Sequence, residues 1–407
     1  MKGRVKVLYL IDSLVPGGAE RSLVAMAAPL AGQGVTLEVG YLQERPGLQR
    51  ELVDAGVSVT SLAGGGGRIG WAREAAALVR RRQPDLIHTT LYEADLIGRM
   101  AGAATRVPVV TSLVNVRYGP EQRAAPGVRA WKVATVHLAD AVTARRTVRF
   151  HAITQWIAEV MGRRLRIPDQ RIDVVPRGRD PLLLGRRSPD RSARARLRTG
   201  VAPDVPMLVA AARQEHQKGL DLLLEAMPLV LRDRPDATLL IAGRPGNQTP
   251  LLEESVRRLG LAGAVSFLGV RDDVPDLLAA ADVFVVPSRW EGLGSVLLEA
   301  MALESPIVAS GLPPIREVVP DDRHAWLVPP DRPGHLAEAI LAALGNPDEA
   351  RKRASQARRR FLERFTIDRV TTEMARFYQR ALDAGRSESR WLHRRSRVHA
   401  HDDLHRP

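Results

Sequence analysis

Short β-rich runs alternate with helical stretches along this chain, and the alternation runs its course twice. In the first half Val5–Ile11 reads as a strand, Pro16-Gly17-Gly18 as a turn and Ala19–Ala31 as a helix. Thr36–Tyr41 and Val57–Ser61 read as strands, Ile69–Arg82 as a helix, residues 84–88 as a strand, Ala94–Ala104 as a helix and Val107–Leu113 as a strand. The glycines Gly64–Gly67 are expected to form a flexible loop, because no regular element tolerates such a run. The rhythm restarts with strands at Met207–Ala212, Ala237–Ala242, Val265–Leu268, Val283–Val286 and Pro306–Ala309. Between and after them come helices at Leu220–Arg232, Leu251–Leu259, Val274–Ala280, Ser295–Met301 and Leu336–Leu344. Such alternation demands a parallel sheet with helices on both faces, so the expected fold is α/β with two doubly wound, Rossmann-like domains.

The expected division is 1–185 for an N-terminal domain and 186–365 for a C-terminal one, with residues 181–207 read as a linker plus a short helix. A helix over 366–386 is expected to pack back on the N-terminal domain. Residues 387–407, with His393, His399, His401 and His405, read as a basic disordered tail. Open α/β sheets bind ligands at the carboxyl ends of their strands, which places the expected site in a cleft between the two domains.

Composition narrows the function classes. The 407 residues suit two domains, and 45% hydrophobic content allows each to bury a core. There is no cysteine, which removes disulfides and Cys-based zinc sites. No run approaches the ~20 apolar residues of a membrane span. The N-terminal run Val7–Ile11 is too short for a signal peptide and leads into Asp12, so a buried first strand and a cytoplasmic protein are expected. Net charge is +14 and uneven: residues 1–180 carry 26 Lys/Arg against 16 Asp/Glu, and residues 181–385 carry 28 against 27. The first half should therefore attract anionic surfaces.

Three clusters carry chemistry. The run from Pro287 to Ala300 (PSRWEGLGSVLLEA) delivers a glycine-containing loop from a buried strand into a helix that starts near Gly294 or Ser295. The first turn of such a helix presents free N–H groups to an anion, and Gly292, Leu293, Gly294 and Ser295 form the approach. Glu291 and Glu299, with seven residues between them, suit sugar and ribose hydroxyls rather than phosphate. Arg213 and Lys218, just after the strand Met207–Ala212, can converge on one anion as a planar fork and a point charge. Gly17 and Gly18 let the backbone after the first strand come close to a ligand, without the full Gly-x-Gly-x-x-Gly pattern of a dinucleotide site.

In this order and spacing the clusters resemble the GT4-like, or group 1, family of GT-B retaining glycosyltransferases. Similar segments accompany them: Ala279–Val283, Pro306–Ser310, Ala242-Gly243, Phe267–Val270, Leu86–His88 and Val174–Gly178. The resemblance implies two Rossmann-like domains facing each other and a nucleotide-sugar donor, with no further cofactor. It implies that Glu299 binds the donor ribose, that Glu291 contacts the transferred sugar, and that Arg213 and Lys218 neutralise the diphosphate. Gly17 and Gly18 would approach the diphosphate or sugar, and Gly269 and Val270 would meet the base. No Asp-x-Asp occurs, so a metal-chelating diphosphate site has no obvious ligands, and metal-independent transfer by front-face attack is expected. Two positions depart from the family pattern. Asn115 stands where many relatives have histidine, and Arg177 stands where they usually have asparagine, which bears on the interdomain hinge.

The resemblance assigns the acceptor to the basic N-terminal half, with His88 and Asn115 as acceptor-side candidates. A glycan or lipid-linked acceptor is expected. Arg117, Arg123, Arg129 and Lys132 precede an apolar periodicity through Val133, Val136 and Leu138, then Arg145, Arg146 and Arg149 follow, with Trp131 as an anchor. Such a helix can lie on an anionic bilayer. A nucleic-acid partner is not expected, because aromatic residues are only 4% and none interleaves with a basic run. A UDP-sugar 2-epimerase or a non-catalytic donor-binding homologue keeps the same fold and stands as an alternative.

Overall fold

The computed structural model describes residues 4–119 and 129–402, the side chains of 130 and 387–402 excepted. The chain divides into two units. The first takes the residues up to Pro176 together with those from Asp368 onward, and the second is Arg177–Ile367.

The first unit is built on seven parallel strands: β1 (Val5–Ile11), β2 (Val35–Tyr41), β3 (Ser58–Ser61), β4 (Leu86–Thr90), β5 (Val109–Leu113), β6 (Thr147–Ala152) and β7 (Ile172–Val174). Their order is β3-β2-β1-β4-β5-β6-β7. The central strands β4 and β5 are buried at every residue, as expected of parallel strands covered on both faces. Strands β6 and β7 escape the sequence reading because Arg149 and His151 interrupt the apolar run of one and the other has only three residues. Arg149 pairs with Asp173 of β7 at 2.7 Å, so it braces the sheet rather than extending a basic helix. Of the glycine run, Ala63–Gly65 forms a short 3₁₀ turn and Gly67 caps the helix Arg68–Arg82, so the segment is a structured turn rather than a free loop.

The second unit has six parallel strands: β8 (Met207–Ala211), β9 (Thr238–Ala242), β10 (Val265–Gly269), β11 (Val283–Val286), β12 (Ile307–Ser310) and β13 (Trp326–Val328). Their order, β10-β9-β8-β11-β12-β13, repeats the order of the first six strands of the other sheet. In both, the winding reverses once, between β1 and β4 and between β8 and β11. A crevice opens at the carboxyl ends of the strands at such a reversal. The helix Leu220–Asp233 buries Leu220, Leu223, Leu224, Met227 and Val230 on one face, at about 1.5–3 kcal/mol for each large apolar side chain. That burial anchors the loop running from β8 into the helix.

Residues 181–207 are an integral part of the second unit, not a linker. The helix Pro189–Thr199 is fastened by Arg191 to Asp276 at 2.6 Å and by Arg196 to Asp282 at 2.7 Å. The change of unit falls at Pro176/Arg177, ahead of the 185/186 division read from composition. The final helix, Ile367–Asp402, continues past residue 386 into the segment read as a tail. No glycine or proline lies between Arg386 and Asp402 to stop it. Residues 403–407, and with them His405, are outside the described residues.

Candidate functional site

Lys218 closes a 3₁₀ turn, His216–Lys218, and hands the chain to the helix Leu220–Asp233 through Gly219. Gly219 has φ +61°, and a Cβ there would lie 2.1 Å from the carbonyl oxygen of Pro287. Only glycine lets the loop after β8 press this closely on the loop after β11. Gly243, after β9, fits the same way: a Cβ on it would meet the carbonyl of Ala212 at 1.9 Å. The loops that follow neighbouring strands are thereby packed backbone to backbone along one sheet edge.

That packing brings Lys218 and Glu291 of the sequence-predicted residues together. Lys218 Nζ lies 2.5 Å from Oε1 of Glu291, and Ser288 Oγ donates to the same oxygen at 2.9 Å. Ser288 and Glu291 are both buried, and they share a small recess with Lys218 under Pro287 and Val296. Gln217 holds the loop from below, donating from Nε2 to the Trp290 carbonyl at 2.9 Å and accepting at its own carbonyl from Arg289 N at 2.9 Å. Arg289, although part of the motif, is committed to bracing: its two Nη atoms reach the two Oδ atoms of Asp221 at 2.7 and 2.8 Å, and its Nε reaches Asp331 at 2.8 Å. Burial opposes ionisation of Asp221, but Arg289 outweighs it and holds the carboxyl below its ordinary range. Arg213 is different. It is exposed and makes no side-chain hydrogen bond or ion pair among the described residues.

Gly294, with φ +79°, precedes the helix Ser295–Ala302. Leu293 is buried beneath the turn, and Gly292 is buried beside Glu291. Arg177 donates from Nη1 to Ser295 Oγ at 2.7 Å, and Arg179 donates from Nε to Glu299 Oε1 at 2.8 Å. The sequence reading gave Arg177 only a hinge and gave Arg179 nothing. Their signal was present all the same: two arginines two residues apart in an extended segment point to the same side. Further along the edge, Gly269 ends β10 with φ +65°, accepts from Gly243 N at 2.7 Å, and leaves Val270 69% exposed. Lysine, arginine, helix amides and two carboxylates on one edge can hold an anion with a hydroxyl-rich group beside it.

In the first unit the corresponding edge follows β1. Gly17 caps the helix Gly18–Gly32 with an extended backbone, and Asp12 accepts from Ala94 N at 2.7 Å. Burial, above all, pushes the Asp12 carboxyl up to about 7. Asn115 is exposed just beyond β5. His88 is not an acceptor-side residue: it is fully buried, with Nδ1 bonded to Tyr378 Oη at 2.7 Å and Nε2 to Ser112 Oγ at 2.7 Å. Burial, and then the neighbouring His151, push it well below the ordinary imidazole value. Its chemistry is spent on joining the final helix to the sheet.

The basic stretch divides in the same way. Arg117 pairs with buried Asp95 at 2.8 Å, and Arg123 lies outside the described residues. The helix Ala130–Ala144 nevertheless exposes Trp131 (59%), Leu138 (66%) and Val142 (52%), with Arg129, Lys132, Arg145 and Arg146 also exposed. No helix among the described residues is long and apolar enough to cross a membrane.

Comparison with known proteins agrees with this architecture. The model of the family "Glycosyl transferases group 1" matches residues 193–361, and that of "Glycosyltransferase Family 4" matches residues 16–181. The alpha-maltose-1-phosphate synthase of Mycolicibacterium smegmatis is 31% identical over 320 residues, covering 72% of this chain and 79% of that protein. The D-inositol 3-phosphate glycosyltransferase of Jonesia denitrificans is 26% identical over 389 residues, 89% of this chain and 91% of its own. Among solved structures, Anabaena HepE in complex with UDP-glucose matches with a TM-score of 0.82 at 24% identity, covering 92% of this chain and 99% of that one. The fold is therefore of the GT-B type, two parallel-sheet α/β units.

Proposed function

The chain belongs to the group 1 (family 4) glycosyl transferases and is a glycosyltransferase, and from that premise we propose that it moves a hexose from a UDP- or GDP-linked donor, with retention and without a metal, to a glycan or lipid-linked acceptor. The observation that carries the proposal is at the edge of the second sheet: Lys218, in the loop after β8, lies on Glu291, in the loop after β11, with exposed Arg213 in the first of these loops and Glu299 on the helix Ser295–Ala302 that follows the second. As the nucleoside diphosphate departs, negative charge grows on it. Lys218, held on Glu291, and the amides following Gly294 are preorganised to meet that charge without a divalent ion, and exposed Arg213 can swing onto it. Glu291 uses Oε1 on Lys218 and Ser288, which leaves Oε2 for a hydroxyl of the transferred sugar. With its charge shared with Lys218 and Ser288, this carboxylate is a weakened nucleophile, which supports front-face displacement by the acceptor over a covalent intermediate. Gly269 and Val270 offer an exposed edge of the second unit to the base.

The test is a binding screen of UDP- and GDP-hexoses with EDTA present, using wild type and Glu299→Ala. One donor should bind selectively despite EDTA, and Glu299→Ala should weaken it about 10-fold or more, the worth of a hydrogen bond to a charged group. Failure of every nucleotide sugar to bind would overturn the reading.

We further propose that the helix Ala130–Ala144 rests on an anionic bilayer, where a lipid-linked acceptor is collected. Trp131, Leu138 and Val142 are spaced to share one face, and the cations beside them complement acidic headgroups. Co-sedimentation with phosphatidylglycerol vesicles should exceed that with phosphatidylcholine and should fall several-fold in Trp131→Ser/Leu138→Ser. Equal pelleting of variant and wild type would refute the contact.

A further inference from the structure

Glu299 has a charged partner within the chain. Its Oε1 accepts from Arg179 Nε at 2.8 Å, while its Oε2 has no partner among the described residues. Arg179 is only 8% exposed and is held from several directions. Its Nη1 donates to the Gly178 carbonyl at 2.9 Å, its backbone N–H donates to Phe365 O at 2.9 Å, and its carbonyl accepts from Ile367 N at 2.9 Å. The guanidinium therefore projects from a backbone fixed on both sides. Two residues earlier, Arg177 binds Ser295, one helical turn before Glu299. The extended segment thus runs along the helix with both arginines turned toward it.

A glutamate without such a partner would lose rotamer freedom and hydration together when a ligand arrived. An arginine at one oxygen meets both costs before binding: it fixes the carboxylate plane and replaces part of its hydration, with the second oxygen open as an acceptor. We propose that Arg179 is a positioning residue for the donor's ribose, holding Glu299 so that Oε2 meets the vicinal 2′,3′-diol. The proposal rests on reading Glu299 as the ribose-binding carboxylate. A brace that only tied residues 177–180 to the helix Ser295–Ala302 would require no free oxygen on Glu299 and would be indifferent to the ribose hydroxyls.

That difference sets the experiment. Dissociation constants of UDP and GDP are measured by calorimetry for wild type, Arg179→Ala, Arg179→Lys and Glu299→Ala. The nucleotide that wild type binds is then compared with its 2′,3′-dideoxy analogue. Arg179→Ala should weaken the natural diphosphate by about 10- to 100-fold, the range for a hydrogen bond to a charged group. The penalty should shrink to within about 2-fold for the dideoxy analogue or in the Glu299→Ala background, as a shared interaction requires. Arg179→Lys should recover part of the affinity; it also preserves the charge should the alanine variant fold poorly. The same penalty for both nucleotides, or none for either, overturns the positioning role. Absence of binding by wild type, or a neutral Glu299→Ala, instead sinks the donor-site reading and takes this proposal with it.

Discussion

Lys218→Ala is expected to lower kcat about 100- to 1,000-fold, the range seen when one preorganised stabiliser of a developing anion is removed. KM for the donor should change much less, because in the proposed reaction the charge that Lys218 meets grows mainly as the sugar–phosphate bond breaks. The substitution acts twice. It takes the point charge from the turn His216–Lys218, and it leaves the buried Glu291 carboxylate with Ser288 as its remaining contact at Oε1. Lys218→Arg should rescue poorly, since a planar guanidinium does not reproduce the point charge that Lys218 Nζ places against Glu291 Oε1. Steady-state kinetics on the donor found by the binding screen decide it. A loss below about 3-fold would remove Lys218 from the leaving-group site.

The second large effect concerns stability. Arg99→Ala is expected to destabilise the first unit by about 3–5 kcal/mol, the cost of breaking a buried ion pair from one side. Arg99, on the helix Tyr92–Thr105, is 1% exposed, and its Nη1 donates to Asp140 Oδ1 at 2.6 Å and to Thr143 Oγ1 at 3.0 Å. Its Nε reaches Thr147 Oγ1 at 3.1 Å. Burial works to raise the Asp140 carboxyl, but Arg117 and Arg99 together outweigh it and keep the group below its ordinary value. Without Arg99, Asp140 retains Tyr118 at 2.7 Å and the more distant Arg117 at 3.7 Å, and its charge is no longer well compensated. Urea unfolding followed by fluorescence should show the loss, and Arg99→Met/Asp140→Leu should restore most of it by removing both charges. A single-variant loss under about 1 kcal/mol would mean that water reaches this network.

Much of the proposed site was legible in the sequence because its parts are local. The loop and helix from Pro287 to Ala300, and Arg213 to Gly219, each occupy one strand–loop–helix junction, where glycine, a cation and a carboxylate announce themselves within a dozen residues. His88 shows the limit. A polar residue on a strand reads the same whether it faces a ligand or the protein, and here Tyr378, 290 residues away, claims it. Arg117 and Arg149 read as a basic surface until Asp95 and Asp173 take them up.

Strand and helix periodicity, the repetition of the α/β pattern and the chemistry at each junction were determined by sequence alone, because each reflects backbone preference and burial over a few residues. The tertiary structure decided which charges are spent and which remain available. Arg289 is consumed by Asp221 and Asp331, Arg99 by Asp140 and Arg179 by Glu299, while Arg213 stays exposed. Pairings between residues as far apart as Arg179 and Glu299, 120 positions, depend on how helices dock on a sheet. Docking is set by the sum of apolar burial over the whole unit, which no short stretch of sequence records.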